Sequence, residues 1–221
     1  MEIQANSITL SYTQAGPGAA DKTPLLLLHG NGEDRHIFDA LLPRLASVHP
    51  LYALDSRNHG ESERTEDYAY QTMAEDTAAF IEALGLERVS LVGFSDGAII
   101  ALLLAMHRPE LVDRLALLGI NLKPEDFTEE AMSWLRASYA ASGDPLLRLM
   151  LEQPQIELTA AARVTAPALI VAAENDIFRP ESFEALAAAM QARLLVMAGH
   201  EHDSYVAGTD ILAEELLFFL G

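Results

Sequence analysis

The chain has no cysteine in its 221 residues, which removes disulfides, thiolate metal sites and a cysteine nucleophile. This says nothing about compartment, because a cysteine-free chain folds equally well in reducing and oxidising surroundings. Positive charge is also scarce: 14 Lys and Arg stand against 33 Asp and Glu, a formal net charge of −19. A surface that negative repels phosphate backbones and anionic lipid, so nucleic acid is not an expected partner. Long apolar runs are missing too. The stretch 98–106 is far short of the roughly 20 residues a membrane-spanning helix needs, so no membrane span is expected. The opening Met1-Glu2-Ile3-Gln4 lacks the basic patch and apolar core of a signal peptide, which makes the cytoplasm the default expectation.

What is present is the balance of a globular chain, half apolar and 21% charged. The length suits one sizeable domain and hardly two. Short apolar runs occur at 25–28, 51–54, 89–94, 115–118, 168–173 and 194–197. Their residues are apolar at nearly successive positions, as expected for strands covered on both faces. Ile8 to Tyr12 alternates more and fits an antiparallel edge strand, while Gly16-Pro17-Gly18 reads as a hairpin or loop before the first central strand. Helical spacing appears between the runs. Met73, Thr77, Phe80, Ile81 and Leu84 share one face ahead of Gly85, and Phe183, Leu186 and Met190 share another. Leu212, Leu216, Phe219 and Leu220 fit a last helix capped by Thr209 or Asp210. Strand and helix in alternation predict an α/β fold, a doubly wound, mostly parallel sheet with right-handed crossovers. One domain, 1–221, is expected. The long connection 119–167 reads as a helical insertion over one sheet edge or as ordinary crossover packing.

The strongest local signal is Gly93-Phe94-Ser95-Asp96-Gly97, between the run 89–94 and the helical run 98–106. A serine on a tight strand-to-helix turn has strained backbone angles and projects its hydroxyl above the sheet. Side chains at the flanking glycines would collide with neighbouring backbone, and the following helix directs its free N–H groups and positive end at the spot. Serine is a poor nucleophile unless a histidine takes its proton and an acid holds that histidine.

With this turn the chain resembles the α/β-hydrolase family. His29-Gly30-Asn31-Gly32-Glu33-Asp34 is similar to the family's H-G loop. The resemblance implies an oxyanion hole made by the backbone N–H groups of Asn31 and Asp96, where losing one donor costs on the order of 2.7–4 kcal/mol. Asp55-Ser56-Arg57-Asn58-His59-Gly60-Glu61-Ser62 is similar to the family's D-x-R-G-x-G-x-S segment, with Asn58 and His59 around the usual glycine positions. It is read as structural, Asp55 and Arg57 tying this loop to the H-G loop and His59 serving as a hydrogen-bonded loop residue. The family's acid loop places the acid at Asp176, with Ala173 in place of the usual glycine; Glu174 competes but sits close to the strand end. Two histidines compete for the base. His200 directly follows Gly199, as in many members, whereas His202-Asp203-Ser204-Tyr205-Val206 resembles the H-x-S-Y-V of an esterase-like subset, and His202 is preferred.

The chain order Ser95, Asp176, His202 is that of the family, and the resemblance spans about residues 8–220. A His-Glu-His metal site is disfavoured, since ligands so spaced point apart and no third partner is evident. The implied activity is that of a serine hydrolase acting on a small ester or related acyl substrate, with no cofactor. Other triad chemistries remain open: C–C bond, thioester or amide hydrolysis, perhydrolysis, or a non-catalytic ligand-binding member. A dehalogenase or epoxide hydrolase would want Asp where Ser95 stands. Trp134 and Phe127 in the insertion favour an apolar pocket under a short lid.

Overall fold

A computed structural model describes residues 1–17 and 22–221. In chain order the elements are β1 (Glu2–Ala5), β2 (Ile8–Ala15), β3 (Leu25–Leu28), α1 (Leu42–Ala46), β4 (Leu51–Leu54), α2 (Tyr70–Ala83), β5 (Val89–Phe94), α3 (Asp96–His107), β6 (Val112–Leu118), α4 (Glu129–Ser142), α5 (Pro145–Glu152), α6 (Leu158–Ala161), β7 (Ala168–Asn175), α7 (Pro180–Met190), β8 (Arg193–Glu201) and α8 (Ala213–Leu220). The strands form one sheet in the order β1-β2-β4-β3-β5-β6-β7-β8. Pairing is antiparallel at β1–β2 and β2–β4 and parallel from β4 to β8.

The continuous apolar runs have a simple cause. Successive strand residues point to opposite sheet faces, and both faces are covered. Leu26, Leu28 and Leu91 enter the cluster with α2, α3 and α7, whereas Leu25, Leu27, Val92 and Phe94 enter the one with α8. Each fully buried Leu contributes about 1.5–3 kcal/mol of transfer free energy. The face of α2 predicted from Met73, Thr77, Phe80 and Ile81 is buried, and Gly85 (φ +68°) follows its end.

Three local expectations need correction. Ile8 to Tyr12 lies in an antiparallel strand, but β2 is second in the sheet and the edge is β1, whose mostly exposed Glu-Ile-Gln-Ala offers no apolar pattern to read. The run 194–197 belongs to the opposite edge strand β8, which has no fully buried residue. The last helix starts at Ala213 and has no side-chain cap; Asp210 instead pairs with Arg44 at 3.1 Å, and Thr209 accepts from the Ile211 amide at 3.3 Å. Its inward residues Leu212, Leu216 and Leu220 are buried as expected. Of the Gly16-Pro17-Gly18 turn, Gly18 lies outside the described residues.

Residues 119–167 carry α4, α5 and α6. Leu135 in α4 and Leu149 in α5 are the single buried residue of their helices, while Ala131, Met132, Leu147, Met150 and Leu151 pack partly buried against the same core.

Candidate active site

The carboxyl ends of β3, β5, β6 and β7 converge on one point. β5 ends at Phe94, and Ser95 stands between it and α3 with φ +52° and ψ −117°. A non-glycine residue in that region costs about 1–3 kcal/mol and persists only when its surroundings hold it. Here they do. The Ser95 amide donates to Leu118 O at 2.8 Å, and the Ser95 carbonyl accepts from Ala98 N at 2.9 Å and Ile99 N at 3.2 Å. The flanking glycines are required by space: a Cβ on Gly93 would sit 2.3 Å from Gly97 O, and one on Gly97 would sit 2.0 Å from Leu28 O.

The Ser95 hydroxyl and His202 Nε2 are 3.1 Å apart, and His202 Nδ1 is 2.8 Å from Asp176 Oδ1. Three side chains far apart in sequence thus form one hydrogen-bonded chain. Asp176 is fixed by amide donors, Ala173 N to Oδ2 at 3.1 Å and Phe178 N to Oδ1 at 3.3 Å, next to a register shift between Ala173 and Asn175. Its side chain is 2% exposed, that of His202 15%. The imidazole lies between Phe94 and Phe178, with ring centroids at 5.0 and 5.3 Å. Gly119, at the end of β6, borders the same ring. It has φ +60°, and a Cβ there would lie 2.7 Å from His202 Cε1 and 3.2 Å from the Tyr205 hydroxyl.

The competing residues are engaged elsewhere. His200 Nδ1 is 3.0 Å from Ser204 Oγ, and Glu174 accepts from Gly199 N at 2.7 Å. Among the described residues no three His, Cys, Asp or Glu side chains are grouped to hold a metal ion.

The H-G loop follows β3. The His29 Nε2 atom accepts from Ser56 N at 3.0 Å; burial, with His59 nearby, pushes this imidazole down to about 4, so it is a neutral structural acceptor. Asp55 ties in the start of the next turn through Arg35 N at 2.8 Å and the Arg35 guanidinium. Arg57 does not bind the H-G loop; it holds α2 through Asp76 at 2.6 and 2.7 Å. Asn58 carries φ +66° at one of the glycine positions of the resembled segment. His59 is buried and pairs through Nδ1 with Arg57 O at 2.9 Å.

Asn31 and Asp96 are brought together: Asn31 Nδ2 is 2.8 Å from Asp96 Oδ2 and 3.2 Å from Leu146 O in α5. Asp96 opens α3, where the first backbone N–H groups have no partner inside the helix. Burial raises the Asp96 carboxyl, opposed by donors on Asn31 and Tyr70.

The sequence pattern assigns no role to Glu33, Gly119 or Tyr205. Glu33 Oε2 accepts from Gly30 N at 3.0 Å, and burial raises its carboxyl to about 7. Its only sequence signal is an acid inside the H-G loop; that of Gly119 is a glycine at a strand end. A cavity of 620 Å³ is bordered by Glu33, Asp176 and His202 and covered by Trp134, Leu135 and Met150. A larger one, 790 Å³, lies against another face of α4 near Arg136 and Arg179 and touches none of these groups.

Comparison with known proteins agrees with this architecture. Residues 23–153 match the family model described as alpha/beta hydrolase fold. The sn-1-specific diacylglycerol lipase ABHD11 of Mus musculus is 33% identical over 116 residues, 52% of this chain and 38% of that protein. Ethanol acetyltransferase 1 of Cyberlindnera jadinii is 36% identical over 91 residues, 40% of this chain and 27% of that protein. The chain thus matches well under half the length of these curated relatives. The enol-lactonase of Burkholderia xenovorans LB400 superposes with a TM-score of 0.84 at 18% identity, covering 100% of this chain and 99% of that one, a likeness of fold. With a mostly parallel eight-stranded sheet and a family model matched over more than half its residues, the chain belongs to the α/β-hydrolase fold family.

Proposed function

We propose that the protein is a serine hydrolase that cleaves a small ester or related acyl substrate through an acyl-enzyme. The observation that carries this reading is the hydrogen-bonded chain from Ser95 through His202 to Asp176 at 3.1 and 2.8 Å. Ser95 Oγ attacks the acyl carbonyl while His202 Nε2 takes its proton. His202 then passes that proton to the leaving alcohol as the C–O bond breaks. Asp176, already donor-fixed, selects the tautomer with the proton on Nδ1 and stabilises the imidazolium. The N–H groups of Asn31 and Asp96 receive the oxyanion, aided by the positive end of α3. Water attacks the acyl-enzyme with His202 as base. The α4–α5 pair acts as a short cover over the 620 Å³ cavity.

A fluorophosphonate probe tests the nucleophile. It should label the protein at Ser95 and leave Ser95→Ala unlabelled; undiminished labelling of Ser95→Ala would sink the assignment. A series of p-nitrophenyl esters of rising chain length then reports the depth of the acyl pocket. Similarity to an ethanol acetyltransferase favours a second reading, in which an alcohol in place of water accepts the acyl group. Ethyl ester formation from an activated acetyl donor in aqueous ethanol decides between the two.

A further inference from the structure

The wall beside Ser95 carries a carboxyl group at close range. A Cβ built on Gly30 lies 2.7 Å from Glu33 Oε2 and 3.1 Å from Ser95 Cβ, so those two atoms are at most about 5.8 Å apart. Glu33 is half-buried, and among the described residues it has no salt-bridge partner. It also borders the 620 Å³ cavity, where Glu130, Glu201 and Asp203 add exposed carboxylates and no Lys or Arg contributes. Trp134 lines the same cavity and is 63% exposed, a large aromatic side chain open to solvent. Arg64 borders the other side of Glu33, in a separate cavity with Asn58 and His59.

These features answer one kind of group. A cation over an indole face is attracted by the ring quadrupole, and carboxylates focused in a cleft raise the local concentration of cations and repel anions. An organic ammonium gains from both; a neutral alkyl group gains only apolar contact. An anionic group in this cavity faces like charge, and no Lys or Arg lining it offsets that charge.

We propose that Glu33 is a specificity residue of this site, its carboxylate beside Ser95 selecting acyl substrates that carry an organic ammonium over neutral and anionic ones. The proposal rests on Ser95 being the nucleophile of the hydrolase. The Glu33 carboxyl is faced by Gly30 N–H, His202, Asp203 and Asp96, with Arg64 bordering it from the separate cavity, and burial has the largest influence on its proton. The carboxyl is therefore ionised well above pH 7, and the comparison belongs at pH 8.5.

The test uses two phosphonothiolates that differ only in the thiol they release, one bearing a trimethylammonium group and the other its neutral tert-butyl isostere. In each, the Ser95 Oγ–P bond forms, the P–S bond breaks and the thiolate departs. At low ionic strength the cationic reagent should modify Ser95 about tenfold faster than the neutral one, with the ratio falling toward one in 0.5 M salt. Glu33→Gln should lower the ratio at least about threefold. Glu184→Gln, a change of equal charge on the exposed side of α7 and outside the cavity, should leave it unmoved, which separates a local effect from the net charge of −19. Equal rates for the two reagents, no reaction with either, or equal ratios in the two variants would overturn the selectivity while fluorophosphonate labelling of Ser95 still stands. If fluorophosphonate also fails to label, the hydrolase reading falls with it.

Discussion

The two strands that lead to Ser95 and His202 are built in opposite ways. β5, which ends at Ser95, is buried at all six positions and lies near the middle of the sheet. β8, which leads to His202, is the outer strand and has no fully buried residue. Ser95 is therefore held by the strand before it and the helix after it. His202 is held mainly by the segment on its C-terminal side. There Val206 N and Ala207 N both donate to Asp203 O at 2.9 Å, and Tyr205 and Val206 enter the core, each 1% exposed. Ser95 is set in a tight strand-to-helix turn, and His202 on a loop anchored from its C-terminal side. Space should thus govern folding on the β5 side and chemistry on the β8 side.

That contrast meets its hardest trial at the histidines. His202→Ala should lower kcat/KM by about 10³-fold or more with little change in thermal midpoint. His200→Ala, whose ring bonds Ser204, should stay within about threefold in the same assay. A reversed order would move the base to His200.

Next come the two glycines. Gly97→Ala places a methyl 2.0 Å from the Leu28 carbonyl oxygen, where neither backbone can yield. A loss of about 3–5 kcal/mol in urea unfolding is expected, or failure to fold. Gly119→Ala instead presses on the imidazole of His202, a side chain that can move. Activity should fall about 100-fold, while stability drops by only about 1–2 kcal/mol from the positive φ.

The H-G loop contains the same contrast in its titration. His29 is depressed to about 4 from 6.5, so its contribution is fully present above pH 6.5 and is lost as pH falls toward 4. Glu33 is raised to about 7 from 4.5, so its contribution is fully present below pH 4.5 and is lost as pH rises through 7. The two slopes oppose each other between pH 4.5 and 6.5. Glu33→Gln removes the falling one, and stability measured across pH 4.5–7.5 should then lose about 1–3 kcal/mol less than in the parent. An unchanged slope would mean that Glu33 keeps an ordinary carboxyl.

The smallest effect is expected at Tyr205. Its hydroxyl is buried with no hydrogen-bond partner among the described residues, so Tyr205→Phe should be neutral or stabilising by up to about 1 kcal/mol. Calorimetry checks this; a clear loss would reveal a partner for the hydroxyl.

Much of the fold was legible because burial on both faces writes itself into local sequence. The strands at 25–28, 51–54 and 89–94 coincide with apolar runs for that reason. β1 and the true start of α8 were not legible: β1 is polar and short, and α8 begins without a side-chain cap. At the candidate site, the strained turn at Ser95 could be read because glycine spacing leaves a local trace. The choice of His202 over His200 rests only on the likeness of His202-Asp203-Ser204-Tyr205-Val206 to a family segment, since both histidines lie near one glycine and the path of the chain after β8 decides which ring meets Asp176.

The sequence alone determined the α/β order, the strand-to-helix serine turn and the excess of negative charge, since each depends on neighbours along the chain. The tertiary structure alone decided that His202 meets both Ser95 and Asp176, that Arg57 serves α2, and that Glu33 lies beside the serine. Those pairings join residues up to 107 positions apart, and only the folding of the sheet and its loops brings them together.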